Sequence, residues 1–575
     1  MILKKAIAVF SLCLFLLGCG NDAAKEQQTK RIAKGNVKLG GVFHENETEY
    51  FRTLFPQNVT EVVGHRITNQ VYEGLVRLNQ SDLSVEPSLA YRWDVNDSAT
   101  QFTFHLRKNI FYHDDVCFLN GKGREMKAQD FVFCFEKLCT PDASNQGYWL
   151  FKDIVRGANE YFDAKEKKTN PIAHVAGVSA PDDSTLILNL QKPFAGFLYR
   201  LAMPFTAVFP KEAVDYYGSE LREHCVGTGP FRVKRVLPDG GVFLVRNEHY
   251  WERDSFGNQL PYLDGVRFSF IKDEKVEMLE FKKGNLDMKY RLPLDMVTQI
   301  LDSNKNLTPE YKQFQLQTVK ELSTQYYCFL NTDKVFGNVH VRRAFNYAID
   351  RKKIVDYTLK GEGEIANSGI VPEGMSGFNY DAIKAFDYDV KKAKAELALA
   401  GYADGKSFPD VTLHINSGGG RNEKVAEAIS SMLKESLNIN VELSQSLWAQ
   451  HTENSEMGRF EFWRYGWVAD YPDPENFLNL YYGKNVPEKK DERAYLNPCR
   501  YKSAAFDKIF EKAMATPDPA ERNRLYEQAT QIGLDDAVTL CLFYPMNRRL
   551  LQSWVKDFPA NGMEYRSFRK VWIDK

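Results

Sequence analysis

A cation and an anion stand six residues apart in the stretch 464–470, which begins with Arg464 and ends with Asp470. If this stretch is extended, successive side chains point to opposite faces. One face then carries Arg464, Gly466, Val468 and Asp470, and the other carries Tyr465, Trp467 and Ala469. The two charges would share a face, separated by up to about 20 Å along the strand.

A ligand with an ammonium group at one end and a carboxylate at the other matches this arrangement. The planar guanidinium of Arg464 can hold a carboxylate through two hydrogen bonds. Gly466 has no side chain, so a ligand could also form strand-like hydrogen bonds with the backbone there, whatever its own sequence. The alternative is that Arg464 and Asp470 are ordinary surface charges or pair elsewhere in the fold, and spacing alone leaves both interpretations open.

Other candidate motifs do not complete a catalytic or metal site. Ser417-Gly418-Gly419-Gly420 lies between a predicted strand and helix but lacks the Gly-Lys-Ser/Thr ending of a phosphate loop, which favours a connecting turn. The run 113–115 (His-Asp-Asp) has no partner ligand at metal-site spacing and is predicted to be a solvated turn. Gly374-Met375-Ser376-Gly377 would need glycine instead of Phe378 to form a hydrolase elbow. We therefore expect no enzyme activity, no cofactor and no metal.

The elements that surround the charged stretch alternate between strand and helix. Residues 101–107 alternate apolar and polar side chains, as a half-buried strand does. Residues 411–415 are predicted to be a strand, 423–437 a helix with apolar residues on one face, and 439–443 a strand. This βαβ unit implies a partly parallel sheet with helices packed on it.

The N-terminus has the pattern of an export signal. Lys4 and Lys5 precede a twelve-residue apolar run, 6–17, which is too short to span a bilayer core of about 30 Å. The run ends in Leu16-Leu17-Gly18-Cys19, which resembles the lipobox of bacterial lipoproteins. We expect residues 1–19 to be a lipoprotein signal peptide with lipidated Cys19, and residues 20–35 to be a flexible tether to a membrane. A plain signal peptide or an N-terminal membrane anchor is the alternative.

Composition restricts the class of protein further. The formal net charge is −1 and the basic residues are scattered, so a nucleic-acid surface is not expected. The body from residue 36 onward is too long for one ordinary core, which predicts two or three lobes. Beyond Cys19 seven cysteines remain without a CxxC motif, which favours buried thiols and leaves one disulfide open.

Five blocks of sequence, in a characteristic order, resemble the family-5 extracellular solute-binding proteins, above all the oligopeptide- and dipeptide-binding proteins of ABC importers. The resemblance covers essentially the whole body of the chain. The blocks are VYEGLVRLN…VEPSLAYRWDV…FTFHLRKNIFYHDD…MKAQDFVFCFEKL from Val71, GTGPFRV from Gly227, FLNTDKVFGNVHVRRAFNYAIDR from Phe329, GWVADYPDPENFLN from Gly466 and YKSAAFDKIFEKAM from Tyr501.

This resemblance implies an α/β fold, a periplasmic-binding-protein-like two-lobed clam with three domains, of the class II type with an extra inserted domain. The implied division is 36–73, 205–322 and 538–575 for domain I, 74–204 for domain II and 323–537 for domain III. A ligand would be enclosed between domains I and III by hinge closure.

The resemblance also implies roles for individual residues. Asp470 would pair with the α-ammonium group of a peptide and Arg464 with its carboxylate, while the backbone of 466–468 would pair with the peptide backbone. Trp467 or Tyr326 would line side-chain pockets. Arg342, Arg343 and Asp350 match the family as well, and their spacing favours a structural role on a helix surface.

The function expected on these grounds is that of an extracytoplasmic, lipid-anchored, monomeric solute-binding protein that delivers short peptides to ABC importer permease subunits. The same scaffold binding an oligosaccharide or a metal chelate is one alternative, because the fold does not fix the ligand. A lipoprotein hydrolase is another, and a peripheral chaperone or signalling receptor is compatible with the same cleft. The sequence leaves open the preferred peptide length, the side-chain preference, the permease and the membrane that holds the lipid.

Overall fold

The computed structural model describes residues 31–142, 144–168, 172–194, 196–237, 240–417 and 420–575. The expected signal peptide, Cys19 and tether residues 20–30 lie outside the described residues, as do Gly418 and Gly419 of the glycine-rich turn. Within these ranges, no helix combines the length and the apolar character needed to cross a membrane.

Strands and helices alternate along the described chain, and both are numbered here in chain order. The strands are β1 Arg31–Ile32, β2 Lys38–Leu39, β3 Val42–Asn46, β4 Val76–Leu78, β5 Val85–Pro87, β6 Ala90–Val95, β7 Gln101–Leu106, β8 Val178–Asp182, β9 Thr185–Asn189, β10 Phe231–Leu237, β11 Gly241–Arg246, β12 Gly265–Ser269, β13 Met288–Lys289, β14 Gln315–Lys320, β15 Ser323–Phe329, β16 Gly363–Ile365, β17 Val411–Asn416, β18 Val441–Ser446, β19 Phe462–Val468, β20 Thr539–Leu551, β21 Val555–Lys556 and β22 Trp572–Ile573. The α-helices are α1 Val62–Thr68, α2 Ala128–Leu138, α3 Ala158–Lys167, α4 Phe197–Arg200, α5 Lys211–Tyr217, α6 Glu274–Lys282, α7 Val297–Ile300, α8 Val339–Ala348, α9 Arg351–Lys353, α10 Val390–Leu399, α11 Arg421–Leu437, α12 Trp448–Glu456, α13 Pro474–Leu478, α14 Ala504–Met514 and α15 Pro519–Asp535.

Three larger sheets organise these elements. One four-stranded sheet has the order β10-β11-β12-β3, and another has the order β6-β7-β9-β8. The third sheet has eight strands, in the order β13-β20-β15-β19-β17-β18, with β14 and β16 also paired to β20. The mixture of parallel and antiparallel pairs with packed helices confirms the predicted α/β class.

The long strand β20 connects two parts of the eight-stranded sheet. Its first half pairs with β15 and β16, and its second half, from Met546 to Leu551, pairs with β14. The division expected at residue 538 falls just before this strand, yet residues 539–545 pair with strands that follow residue 322. One continuous strand therefore serves both regions, and a single boundary at its start does not separate them.

The predicted βαβ unit is confirmed. Strands β17 and β18 are parallel, with Val411 opposite Val441, and α11 connects them. The predicted face of α11 is buried, since Val425, Ile429 and Leu433 are all nearly inaccessible to solvent. The half-buried strand predicted at 101–107 is β7, where the apolar positions are buried and the polar ones between them are more exposed.

The turn at His113 differs from the sequence-based expectation. His113 is only 4% exposed, and its Nε2 lies 2.9 Å from the carbonyl oxygen of Gly229. Burial lowers the pKa of His113 to about 4, so the ring is neutral at physiological pH. The prediction of a solvated turn is wrong for this residue, because the turn packs against the glycine-rich segment at 227–229.

Candidate ligand site

Strand β19 has the alternation that the sequence predicted. Arg464, Gly466 and Val468 are partly exposed, whereas Tyr465 and Trp467 are buried. The strand ends at Val468, and Asp470 follows two residues later. In the antiparallel pair with β15, Gln325 lies opposite Gly466 and Tyr327 opposite Arg464. The polar face of β19 is therefore extended by residues of β15.

Two adjoining cavities lie beside this face. The first, of about 310 Å³, is lined by both Arg464 and Asp470. The second, of about 230 Å³, is lined by Arg464 but not by Asp470. One wall comes from residues 47–66 and 290–291, and the other comes from β15, β17 and β19. The structure thus brings the two predicted charges to one cleft between distant segments of the chain.

Asp470 is held by neutral groups. Its Oδ2 accepts a hydrogen bond from Asn476 Nδ2 at 3.2 Å, and its backbone N–H donates to Asn476 Oδ1 at 3.0 Å. Burial raises the pKa of Asp470, and the neighbouring His65 opposes this effect. Within the described part of the chain Asp470 forms no ion pair, so its carboxylate can accept an ammonium group from a ligand.

Arg464 is also held by neutral groups. Its Nη1 donates to Asn416 Oδ1 at 2.9 Å, and its Nη2 donates to Gln325 Oε1. The pKa of Arg464 is lowered chiefly by burial, and the positive charge of Arg291 adds to the effect. No carboxylate of the described ranges forms an ion pair with Arg464, which leaves the guanidinium ready to bind an anion.

The backbone between the two charges is accessible on one edge of β19. All of β19 pairs with β15, but β17 pairs only with Phe462 and Trp463. Among the described strands, none pairs with the other edge of β19 from Tyr465 to Val468. A side chain at position 466 would meet the Gln325 amide at 2.8 Å and would displace this amide, which accepts a hydrogen bond from Arg464.

Trp467 and Tyr326 differ from each other in position. Trp467 contributes to the first cavity and donates from Nε1 to Asn476 Oδ1 at 2.9 Å, so it helps to orient the amide that holds Asp470. Tyr326 is 2% exposed, lies opposite Tyr465 and lines neither cavity. The expectation that Tyr326 lines a pocket is wrong, because the pairing register turns it into the core and turns its neighbour Gln325 towards the cleft.

Several cleft residues were not predicted from the sequence. They are Glu49, Glu274, Arg291, Gln325, Asn416, Arg421 and Asn476. Most of them come from segments remote from β19, and the sequence contains no signal that places those segments at the cleft. Gln325 could have been predicted from the register of β15, and Asn476 from its proximity to Asp470 in the sequence. Among the described residues, no three His, Cys, Asp or Glu side chains converge to hold a metal ion.

The helix that follows the site carries a buried ion pair. Glu475 of α13 accepts a hydrogen bond from Arg200 of α4 at 2.8 Å, and the two side chains are 1% and 3% exposed. Tyr471 donates its hydroxyl hydrogen to the same carboxylate. The segment around Asp470 is therefore fixed to an element that lies 275 residues away in the chain.

A larger surface groove lies away from these residues. It has a volume of about 740 Å³ and is lined by Tyr91, Arg107 and Trp251 among others. It is open to solvent and contains none of the predicted ligand residues.

Comparisons with known proteins identify the family and the fold of the chain. The sequence model of the bacterial extracellular solute-binding proteins, family 5, middle region, matches residues 84–488. The periplasmic oligopeptide-binding protein OppA of Escherichia coli is 28% identical over 540 residues, which cover 92% of each chain. The heme-binding protein A of Haemophilus influenzae is 28% identical over 583 residues, covering 100% of this chain and 99% of the relative.

Solved structures show the same fold. The periplasmic binding protein DppA of Helicobacter pylori, in complex with the peptide STSA, superimposes with a TM-score of 0.81 at 28% identity over 93% of this chain and 99% of its own. The murein tripeptide-binding protein MppA of Escherichia coli gives a TM-score of 0.80 at 24% identity, over 93% and 99%. The architecture is thus the two-lobed, three-domain α/β clam of these binding proteins.

Proposed function

Since this chain belongs to the bacterial extracellular solute-binding proteins of family 5, we propose that it captures short peptides outside the cytoplasm and delivers them to the permease subunits of an ABC importer. The protein acts as a monomer without catalysing a reaction. A lipid on Cys19 holds it to a membrane, and residues 20–30 act as the tether. The tether is shorter than the stretch 20–35 expected from the sequence, because Arg31 and Ile32 already pair with β2.

The observation that carries this proposal is the pair of opposite charges on one cleft. Asp470 and Arg464 line the same cavity, and each is held by amide groups instead of an opposite charge. Burying a charge without a partner is costly in free energy. Both side chains are therefore stabilised when a ligand supplies the opposite charge. A zwitterionic peptide does so at both ends, with its ammonium group on Asp470 and its carboxylate on Arg464.

The open edge of β19 supports a peptide over other zwitterions. A peptide lying along residues 465–468 would add a strand to this edge and form hydrogen bonds that do not depend on its side chains. The two cavities together have the size expected for a small-ligand site. Binding would close the lobes around the ligand, with β20 running through the connection between them.

Non-peptide solutes remain the alternative function on the same scaffold. The name of the Haemophilus influenzae relative says that it binds heme, and another solved relative at 22% identity is described in complex with agropinic acid. A neutral oligosaccharide would leave Asp470 and Arg464 without counter-charges, which favours peptides for this chain. A metal chelate would need to carry both charges in the same spacing.

Titration calorimetry with tri-alanine and its blocked forms tests the proposal. We expect tri-alanine to bind, and we expect both N-acetyl-tri-alanine and tri-alanine amide to bind at least about tenfold more weakly, because each lacks one terminal charge. Equal affinity for the free and blocked peptides would contradict the assignment of Asp470 and Arg464 to the termini.

Lipid anchoring needs a separate experiment. We expect the wild-type chain to incorporate labelled palmitate in a bacterial host and to fractionate with membranes, and we expect the Cys19→Ser variant to do neither. Labelling that persists in the variant would place the lipid elsewhere.

A further inference from the structure

Ion pairs account for most of the charged side chains that line the two cavities. The paired groups are Glu47 with Arg66, Glu61 with Arg52, Glu564 with Arg566, Arg291 with Glu321 and Lys289 with Glu277. Each of these pairs has a shortest N···O distance of 2.6 to 3.0 Å. Each of these lining groups therefore already has an opposite charge within ion-pair distance, and Arg566 is shared by Glu45, Glu47 and Glu564.

Two more lining charges, Arg421 and Glu274, offset each other at longer range. In the described ranges Arg421 donates one long hydrogen bond, 3.5 Å, to the carbonyl oxygen of Leu292. The pKa of Arg421 is lowered by burial and by Arg291, and the negative charge of Glu274 opposes this lowering. Both residues line the second cavity only.

Glu49 is the carboxylate that lines both cavities, and none of the ion pairs of the described residues includes it. It lies just beyond β3, is half-buried and lines both cavities. Among the described residues it forms neither a hydrogen bond nor an ion pair. Burial raises the pKa of Glu49, and only the exposed Lys272 opposes this effect. A partly desolvated carboxylate that faces a ligand cleft gains most from a cation supplied by the ligand.

We propose that Glu49 is a specificity-determining residue that selects peptides with a basic side chain. The inference rests on the proposed function, because it assigns the peptide termini to Asp470 and Arg464. With those two charges and the Arg421 and Glu274 charges balanced, the cleft carries one excess negative charge at Glu49. A peptide with one lysine or arginine side chain neutralises the whole site, whereas a tri-alanine zwitterion leaves Glu49 desolvated and unpaired.

The position of Glu49 indicates which residue of the peptide carries the basic side chain, and this residue is not the N-terminal one. Glu49 shares the boundary of the two cavities with Arg464, Gln325 and Asn416, and Asp470 lines the first cavity alone. The basic side chain is therefore expected on the second or third residue of a tripeptide.

The test is a positional scan by titration calorimetry. Lysine and norleucine, which has a similar apolar chain without the ammonium group, are placed in turn at each position of tri-alanine. For the wild-type protein we expect lysine to be preferred over norleucine by about three- to tenfold at the second or third position. Glu49→Gln should remove this preference, and Glu160→Gln, which changes an exposed carboxylate on α3, should keep it.

The outcomes separate this inference from the proposed function. Binding of tri-alanine without any lysine preference, or a preference that survives in Glu49→Gln, would overturn the role of Glu49 and leave peptide binding standing. Failure of all the peptides to bind the wild-type protein would overturn both.

Discussion

Asn476 holds Asp470 at two points. Its amide nitrogen lies 3.2 Å from the carboxylate Oδ2, and its amide oxygen accepts the backbone N–H of Asp470 at 3.0 Å. The same amide oxygen accepts the indole N–H of Trp467 at 2.9 Å. The carboxylate is therefore oriented by a neutral side chain that is itself fixed, and its charge is left for the ligand.

The substitution Asp470→Asn should weaken peptide binding and stabilise the empty protein. The neutral amide that it introduces cannot form an ion pair with the peptide ammonium group, so we expect a loss of about 2–4 kcal/mol in binding free energy by calorimetry. Because burial raises the pKa of Asp470, its ionisation opposes folding of the empty protein at neutral pH. We therefore expect the variant to gain up to about 1 kcal/mol in the free energy of unfolding.

The control for this substitution is Asp114→Asn, which changes an exposed carboxylate away from the cleft. It should leave peptide affinity unchanged. If Asp470→Asn bound tri-alanine as tightly as the wild-type protein does, the ammonium site would have to lie elsewhere.

Replacing Arg464 with methionine should remove the recognition of the peptide carboxylate. The wild-type protein is expected to bind tri-alanine more tightly than tri-alanine amide. Arg464→Met should bind the two peptides with nearly equal affinity, because it loses about 2 kcal/mol of binding free energy for tri-alanine and none for the amide. Arg459→Met, at an exposed site, provides a matched control. Discrimination that persists in Arg464→Met would assign the carboxylate to another cation, and Arg421, which lines the second cavity and forms no ion pair among the described residues, is a candidate.

Peptide affinity should decrease in mildly acidic solution. The ammonium group binds the ionised form of Asp470, and burial raises the pKa of this carboxyl above 3.8. As the pH falls through the raised pKa, Asp470 takes up a proton and the attraction is lost, so the decrease begins at a higher pH than an ordinary aspartate would give. Calorimetry over a pH series should show this decrease in the wild-type protein and a flatter profile in Asp470→Asn; identical profiles would show that another group titrates.

The buried pair of Arg200 and Glu475 should be important for stability. Glu475→Gln leaves the Arg200 guanidinium without its carboxylate at a site that is 3% exposed, which should cost about 3 kcal/mol of unfolding free energy. The double variant Arg200→Met/Glu475→Gln removes the stranded charge and should recover part of this loss. Urea unfolding of the wild type, Glu475→Gln and the double variant measures both effects. If Glu475→Gln were as stable as the wild type, water would have to reach the Arg200 guanidinium.

The sequence predicted the elements better than it predicted the contacts between them. The alternation around Gly466 and the helix 423–437 follow from periodicity within one segment, and both are present. Tyr326 was misplaced because the register between β15 and β19 depends on pairing across more than a hundred residues. The register that buries Tyr326 is also the one that brings Gln325 to Arg464.

Remote side chains could not be predicted for the same reason. Glu49 lies in a segment without a motif, Arg421 follows a glycine-rich run that was predicted to be only a connecting turn, and the folded arrangement of the chain brings both residues to the cleft. Arg342 was expected to pair along its own helix, but it donates to the carbonyl oxygens of Asp536 and Ala537 at the end of α15. Its role is structural, as predicted, although its partners are different.

Native mass spectrometry of the protein purified from a bacterial host tests the central claim most directly. If the cleft binds peptides through their two termini, the protein should carry a set of masses that resolve on denaturation into short peptides of varied sequence. Added tri-alanine should displace them from the wild-type protein and bind poorly to Asp470→Asn. A single non-peptide mass, or an empty protein that stays empty when peptides are added, would contradict the account.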